Sequence, residues 1–203
     1  MQELPHSDAC ERNKGPILDV LTEVLPQQGS ILEIGSCTGQ HVVFFAPALP
    51  GLTWQPSDCL EYLTGLNTRV HQAGTPSILR PIELDVLGAW PDQHFHGVYS
   101  ANTAHIMSWP AVKAMFACVG QVLLPGGVFC LYGPFKTEQG HTAPSNEDFD
   151  RSLRRRDPAM GIRDLEALEK LAQSAQLGFR EIRAMPANNS LLVFQKNEDR
   201  PDD

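Results

Sequence analysis

Glu33 stands near the end of an apolar run, Ser30-Ile31-Leu32-Glu33-Ile34, and is followed by Gly35-Ser36-Cys37-Thr38-Gly39-Gln40. A carboxylate inside a strand end is costly unless a donor or a cation satisfies it. Gly35 and Gly39 let the chain turn sharply and bring backbone close to a ligand without Cβ interference. A helix opening at Gln40 and running through Val42-Val43-Phe44-Phe45 would aim its free N–H groups at the same crevice. This is the pattern of the first strand–turn–helix of a nucleotide-binding α/β sheet, the place where such folds take a cofactor. The order is Glu-x-Gly-x-Cys-x-Gly, so the G-x-G-x-x-G spacing of a dinucleotide site is missing. An NAD-dependent oxidoreductase is disfavoured on that ground.

Other residues with chemical potential fall at strand ends. Asp58 lies roughly 20 residues beyond the glycine turn, where an acid accepts hydrogen bonds from ribose hydroxyls; the alternative is a helix N-cap. Asn102 and His105 follow the strand Gly97–Ala101, at the end that faces the ligand crevice in open α/β sheets. An imidazole with an ordinary pKa near 6.5 can take a proton from an acceptor. A loop histidine hydrogen-bonded for structure is the other reading. Tyr132 and Asn146 lie on the segment that leaves the fifth strand and are candidates to contact an acceptor. Arg154 and Arg155 carry guanidinium forks that match a carboxylate or phosphate, or else belong to a solvated helix face. Arg12, Asn13 and Lys14 sit in an N-terminal arm, residues 1–15, and can close over the site. His94 and His96 have no third ligand near them, so they read as solvated loop residues and no metal site is expected.

The elements that must position these groups follow from periodicity. Ile17, Leu18, Leu21, Val24 and Leu25 predict a helix beginning at Pro16 and ending at Pro26. Strands are expected at Leu52–Pro56, Ile78–Leu84 (bent by Pro81), Gly97–Ala101 and Val128–Leu131, with helices over 59–72 and from Pro110 to Leu124. A long loop leaves the fifth strand, of the kind that forms lids, and a charged helix Glu147–Asp157 follows it. The last long helix opens at Arg163-Asp164-Leu165 and is capped by Gly178. Phe179–Met185 and Ser190–Gln195 then form an antiparallel hairpin, and the tail 197–203 is expected to be flexible. This is an α/β fold in one domain, with seven strands.

With 203 residues, 42% hydrophobic and 20% charged, the composition is that of a folded globular chain. A net charge of −8 and a pI near 5.3 argue against nucleic acid as a partner. Five scattered cysteines form no C-x-x-C pair, and several sit in apolar runs as small buried hydrophobes. No apolar stretch approaches the ~20 residues that cross a bilayer, and the N-terminus lacks a signal-peptide core, so a cytoplasmic setting is expected. The oligomeric state does not follow from the sequence, and a homodimer is kept open.

Glu33 to Gly39 resembles motif I of class I S-adenosylmethionine (SAM) methyltransferases, E/D-x-G-x-G-x-G, with Cys37 at the middle glycine. Further blocks are Ala9-Cys10-Glu11-Arg12-Asn13-Lys14-Gly15-Pro16-Ile17-Leu18, Trp54-Gln55-Pro56-Ser57-Asp58, Leu131-Tyr132-Gly133-Pro134-Phe135, Thr142-Ala143-Pro144-Ser145-Asn146, Arg156-Asp157-Pro158, Gly161-Ile162-Arg163-Asp164 and Met185-Pro186-Ala187-Asn188-Asn189. Together these resemble the methyltransferase-like protein 26 family over nearly the whole chain. The resemblance implies a Rossmann-like class I methyltransferase: a seven-stranded, mostly parallel sheet with an antiparallel C-terminal hairpin and helices on both faces. It implies SAM as cofactor but no settled substrate; the short connections around the crevice point to a small-molecule methyl acceptor, and Arg154 and Arg155 would suit one with an acidic group. Glu33 and Asp58 would then hold the amino-acid end and the ribose, and Asp85 would contact the adenine or act as a turn former. A SAM-fold binding or scaffold protein that has lost transfer activity is the competing reading, because a side chain stands at position 37.

Overall fold

In the computed structural model, residues 4–198 are described. The elements are α1 (Asp8–Val24), β1 (Gly29–Ile34), α2 (Gln40–Ala48), β2 (Leu52–Asp58), α3 (Leu60–Ala73), β3 (Ile82–Glu83), β4 (Phe95–Ala101), α4 (Trp109–Val122) and β5 (Leu123–Gly133). They continue as β6 (Phe135–Thr137), β7 (Gly140–His141), α5 (Pro144–Arg156), β8 (Arg163–Asp164), α6 (Leu165–Ser174), β9 (Leu177–Met185) and β10 (Asn189–Lys196).

The main sheet has seven strands in the order β3-β2-β1-β4-β5-β10-β9. β3, β2, β1, β4 and β5 run parallel, while β10 is antiparallel to both β5 and β9. Alternation along the strands sorts the core into two layers. Ile31, Tyr99, Cys130 and Val193 face α1 and α2, meeting Ile17, Leu21, Val42 and Phe45. Leu32, Val98, Phe129 and Phe194 face α4 and α6, meeting Val112, Phe116, Leu168 and Ala172. The chain crosses from one layer to the other between β1 and β4. The turn after Ile34 and the loop after Ala101 therefore open on a common crevice, the switch point where open α/β sheets bind ligands.

Several expectations are corrected. α1 begins at Asp8 and carries Pro16 in its interior. Ser7 caps it, accepting from Cys10 N at 3.3 Å, and a buried face of Asn13, Ile17, Val20, Leu21 and Val24 outweighs the hydrogen bond that proline removes. The arm over 1–15 is thus mostly helix, its first three residues lying outside those described. The third strand shrinks to Ile82–Glu83 beside Pro81, with a lone bridge from Trp54 to Ile78. β5 starts at Leu123, so Leu124-Pro125-Gly126-Gly127 belongs to the strand rather than to the end of a helix. β4 begins at Phe95, so His96 is a strand residue, and its Nδ1 accepts from Ser30 N at 3.2 Å. α6 is closed at Ala175, followed by left-handed Gln176, and Gly178 already lies in β9.

The long loop after β5 holds a second, three-stranded sheet in the order β7-β6-β8. Of the expected tail, residues 199–203 lie outside those described. Cys130 alone among the cysteines is buried, whereas Cys37 and Cys59 are exposed. Among the described residues, no helix is long and apolar enough to cross a membrane and no His/Cys/Asp/Glu cluster can hold a metal ion.

Candidate functional site

The turn between β1 and α2 is fastened to β2. Gly35 N and Ser36 N both donate to Ser57 O, at 3.0 and 2.9 Å, and Ser57 Oγ returns a bond to Glu33 O at 2.7 Å. Gly35 has φ +72°, and a Cβ there would come within 2.5 Å of Thr103 Cγ2. Glycine is required because the loop after β4 packs directly on this turn. Thr103 is itself held by Ser100 Oγ at 2.7 Å.

Glu33 is buried, and its Oε2 accepts from Ser36 Oγ at 2.6 Å. Burial pushes its carboxyl up to about 7 against the lowering effect of Ser36, and the nearby Asp58 charge adds to the rise. Its other oxygen accepts no hydrogen bond from the described residues. A buried acid with one free acceptor edge, beneath a glycine turn, fits a cationic donor such as an ammonium.

Asp58 stands across the turn with both oxygens engaged. Oδ2 accepts from Cys37 N at 2.6 Å and Oδ1 from Cys59 N at 2.7 Å. Burial raises its pKa and these two N–H donors lower it, with burial prevailing. Each oxygen keeps a lone pair for a hydroxyl donor. The N-cap of α3 is Cys59, which makes no side-chain cap bond, so Asp58 precedes the cap rather than serving as it. Cys37 adopts a left-handed φ of +48° with its side chain exposed. Gly39, also left-handed, is the N-cap of α2. Asp85 is exposed and forms a turn, its Oδ1 accepting from Leu87 N at 3.0 Å.

α1 lies over the same end of the sheet. Gln40, which opens α2, donates to Glu11 Oε1 at 2.6 Å and accepts from Ser7 N at 2.6 Å. Asn13 is buried, and its Oδ1 meets His41 Nε2 at 2.7 Å, while His41 Nδ1 meets the Tyr99 hydroxyl at 3.3 Å. Burial holds His41 down at about 4, hence neutral. Lys14 pairs with Glu11 and lies 4.9 Å from the Phe44 ring centroid. Arg12 is exposed and makes no ion pair among the described residues.

On the other side of the crevice, Asn102 directly follows β4 with φ +58° and donates its N–H to Tyr132 O at 2.9 Å. Tyr132 sits inside β5, not on a loop, and is buried; burial pushes its phenol up, against a lowering effect of nearby Asn13 and Asn189. His105 is buried against the edge of Phe149, ring centroids 5.3 Å apart. Burial, aided by Arg163 and Arg156, holds its imidazole at about 4. Asn146 donates through Nδ2 to Thr142 Oγ1 at 3.0 Å and to Asn188 O at 2.9 Å, tying α5 to the β9–β10 turn. Arg154 pairs with buried Asp150 at 2.9 Å, and Arg155 is exposed.

The structure thus brings Glu33, Gly35, Asp58, Asn102, His105 and the α1 residues to one end of the sheet, and draws Arg154 into an internal ion pair. Ser36, Gln40, Thr103, Phe149 and Arg163 were not singled out as site residues, although Ser36 and Gln40 fall in the glycine turn and its helix start and Arg163 in the Gly161-Ile162-Arg163-Asp164 block.

A family described as protein of unknown function (DUF938) matches residues 4–196. The chain belongs to that family. This DUF938 chain also matches solved methyltransferase structures at low identity. An O-methyltransferase family protein from Burkholderia thailandensis is 16% identical with a TM-score of 0.81, over 95% of this chain and 59% of the other. CalO1, a methyltransferase of calicheamicin biosynthesis solved in its SAH-bound form, is 17% identical with a TM-score of 0.73, over 90% and 54%. The mitomycin 7-O-methyltransferase MmcR is 12% identical with a TM-score of 0.79, over 93% and 54%. The chain therefore spans little more than half the length of these proteins. What they share with this DUF938 chain is the Rossmann-like methyltransferase fold.

Proposed function

We propose that the chain is a SAM-dependent methyltransferase acting on a small molecule that carries an acidic group. The observation that carries this reading is Glu33: a buried, half-satisfied carboxyl under a glycine turn at the switch point of a methyltransferase sheet. Within its family we place the chain with the methyltransferase-like protein 26 proteins, on the sequence blocks given above. Its acidity disfavours nucleic acid, and its five free cysteines suit the reducing cytoplasm to which we assign it. A homodimer is the assembly to test.

When bound, SAM supplies an already activated sulfonium methyl, so the protein's task is alignment and exclusion of water. Glu33 receives the ammonium of the amino-acid end, Asp58 the ribose hydroxyls through its remaining lone pairs, and Asp85 the adenine edge. Arg12, Asn13 and Lys14 close the crevice as part of α1, and Asn102 lines it from the end of β4. His105 takes the acceptor's proton. Burial leaves it neutral across physiological pH, and no hydrogen bond from the described residues occupies its ring. Tyr132 backs Asn13 from inside β5. Asn146 and Arg155 face the acceptor from α5, where Arg154 already holds Asp150.

Titration calorimetry with SAM, S-adenosylhomocysteine and NADH tests the reading. Micromolar binding of both sulfur compounds and none of NADH supports it. Loss of binding that Cys37→Gly restores would point to a lapsed binding fold, and no binding in either protein would overturn the cofactor assignment.

A further inference from the structure

The loop that carries His105 is fastened from outside the main sheet. Ala104 O accepts from Arg163 Nε at 2.8 Å, and Met107 O accepts from Arg163 Nη2. Between them the His105 carbonyl accepts from Gly161 N at 2.9 Å. The guanidinium is buried, lies 5.8 Å from the Trp109 ring centroid, and meets no carboxylate within ion-pair distance among the described residues. An arginine buried without a counter-ion is costly. Here its charge is met by backbone carbonyls, with Ala159 O at 2.9 Å completing the set.

The segment that bears Arg163 is itself braced. Asp150 accepts from Ile162 N at 2.6 Å and from Arg154 Nε at 2.9 Å. Gly161 has φ +150°, and a Cβ there would stand 2.5 Å from Arg154 Nη2. The same helix, α5, presents Phe149 to the His105 ring, while Gly133 passes beneath it, where a Cβ would lie 3.6 Å from His105 Nδ1. The segment from Phe149 to Arg163 thus holds both the ring and the flanking backbone of one histidine.

We propose that Arg163 is a positioning residue: by fastening the carbonyls on either side of His105 it fixes that imidazole between Phe149 and Gly133, facing the acceptor. The catalytic meaning of this placement rests on the role given to His105 above; the placement does not. Arg163 and Arg156 are the charged groups that reach the ring, and with burial they keep it unprotonated.

The test uses the full chain with Arg163→Met and Arg163→Lys, followed by NMR titration of His105 and hydrogen exchange of the Ile106 and Met107 amides, both of which donate to Thr103 O at 3.0 Å. Arg163→Met is expected to move the His105 midpoint from about 4 toward the ordinary 6.5 and to speed both amides roughly tenfold or more. Arg163→Lys keeps the charge but offers no fork to span two carbonyls. Its midpoint stays low while the amides speed up. Unchanged exchange in the variants overturns the proposal, whether or not the midpoint moves, since charge alone would then be at work. Should Arg163→Met not fold, exchange in Arg163→Lys decides. SAM calorimetry on the same samples keeps the two readings apart: no binding in the unaltered protein would sink the methyltransferase assignment, while the His105 measurements still decide the role of Arg163.

Discussion

Ser36 Oγ donates to Glu33 Oε2 at 2.6 Å, and among the described residues it is the one side-chain donor that this buried carboxyl receives. The acid is therefore neutral in much of the folded population near pH 7, where burial outweighs Ser36.

The sign of the pH dependence follows. Unfolded, Glu33 ionises near 4.5, and folded near 7, so the folded state binds the proton more tightly. Its contribution is fully present below pH 4.5 and is lost as pH rises through 7, by on the order of 3 kcal/mol. Glu33→Gln is expected to flatten the fall in Tm between pH 5 and 8 and to weaken SAM binding. In the unaltered protein, SAM binding near pH 6.5 should release a proton. Calorimetry in buffers of different ionisation enthalpy reads that release directly, and a proton count of zero would argue against an ammonium at Glu33.

Asp58→Asn leaves one oxygen and one NH₂ where two backbone donors now converge. One of Cys37 N and Cys59 N then faces a donor, a loss of about 1–3 kcal/mol. A lowered Tm together with weaker SAM binding is expected, and an unchanged Tm would show that these two bonds matter little.

Gly35→Ala meets the Thr103 methyl and an unfavourable φ together. Thr103→Ser keeps the hydroxyl bonded to Ser100 but removes that methyl. The double variant should recover the steric part of the lost stability and leave about 1–2 kcal/mol of left-handed strain. Denaturant unfolding of the three variants separates the two terms, and no recovery in the double variant would show that the clash is relieved in some other way.

His105→Ala should lower turnover by ~10²-fold or more. At saturating SAM, where Glu33 is already engaged, the unaltered enzyme should show no acidic limb from His105 above pH 5, because its imidazole titrates at about 4. A limb centred near 6.5 would place the histidine in water rather than beside Phe149.

The sheet was legible because its strands carry short apolar runs and its first turn carries Gly35 and Gly39, whereas Pro125-Gly126, inside β5, reads in the sequence as a helix end. Glu33 and Asp58 were legible for the same reason, since the strand ends locate them. What sequence could not supply is long-range pairing. The start of α1 depends on Gln40, 33 residues away from Ser7, and Pro16 hid it. Arg163 reaches Ala104 across 59 positions, and no local pattern announces such a bond. The small sheet of β6, β7 and β8 has strands of only two or three residues, too short for any alternation to show.

The cysteines flanking Asp58 have a practical meaning. Cys37 and Cys59 are exposed on either side of the acid, whereas Cys130 is buried and Cys10 and Cys118 are half-covered. Burial and the Asp58 charge push both thiols up, so a thiol-directed alkylating reagent used at alkaline pH, where thiolate forms, reads their exposure at the mouth of the crevice. Whatever molecule settles there shields those two sulfurs, so the protein carries its own occupancy gauge, readable by mass from an unlabelled sample.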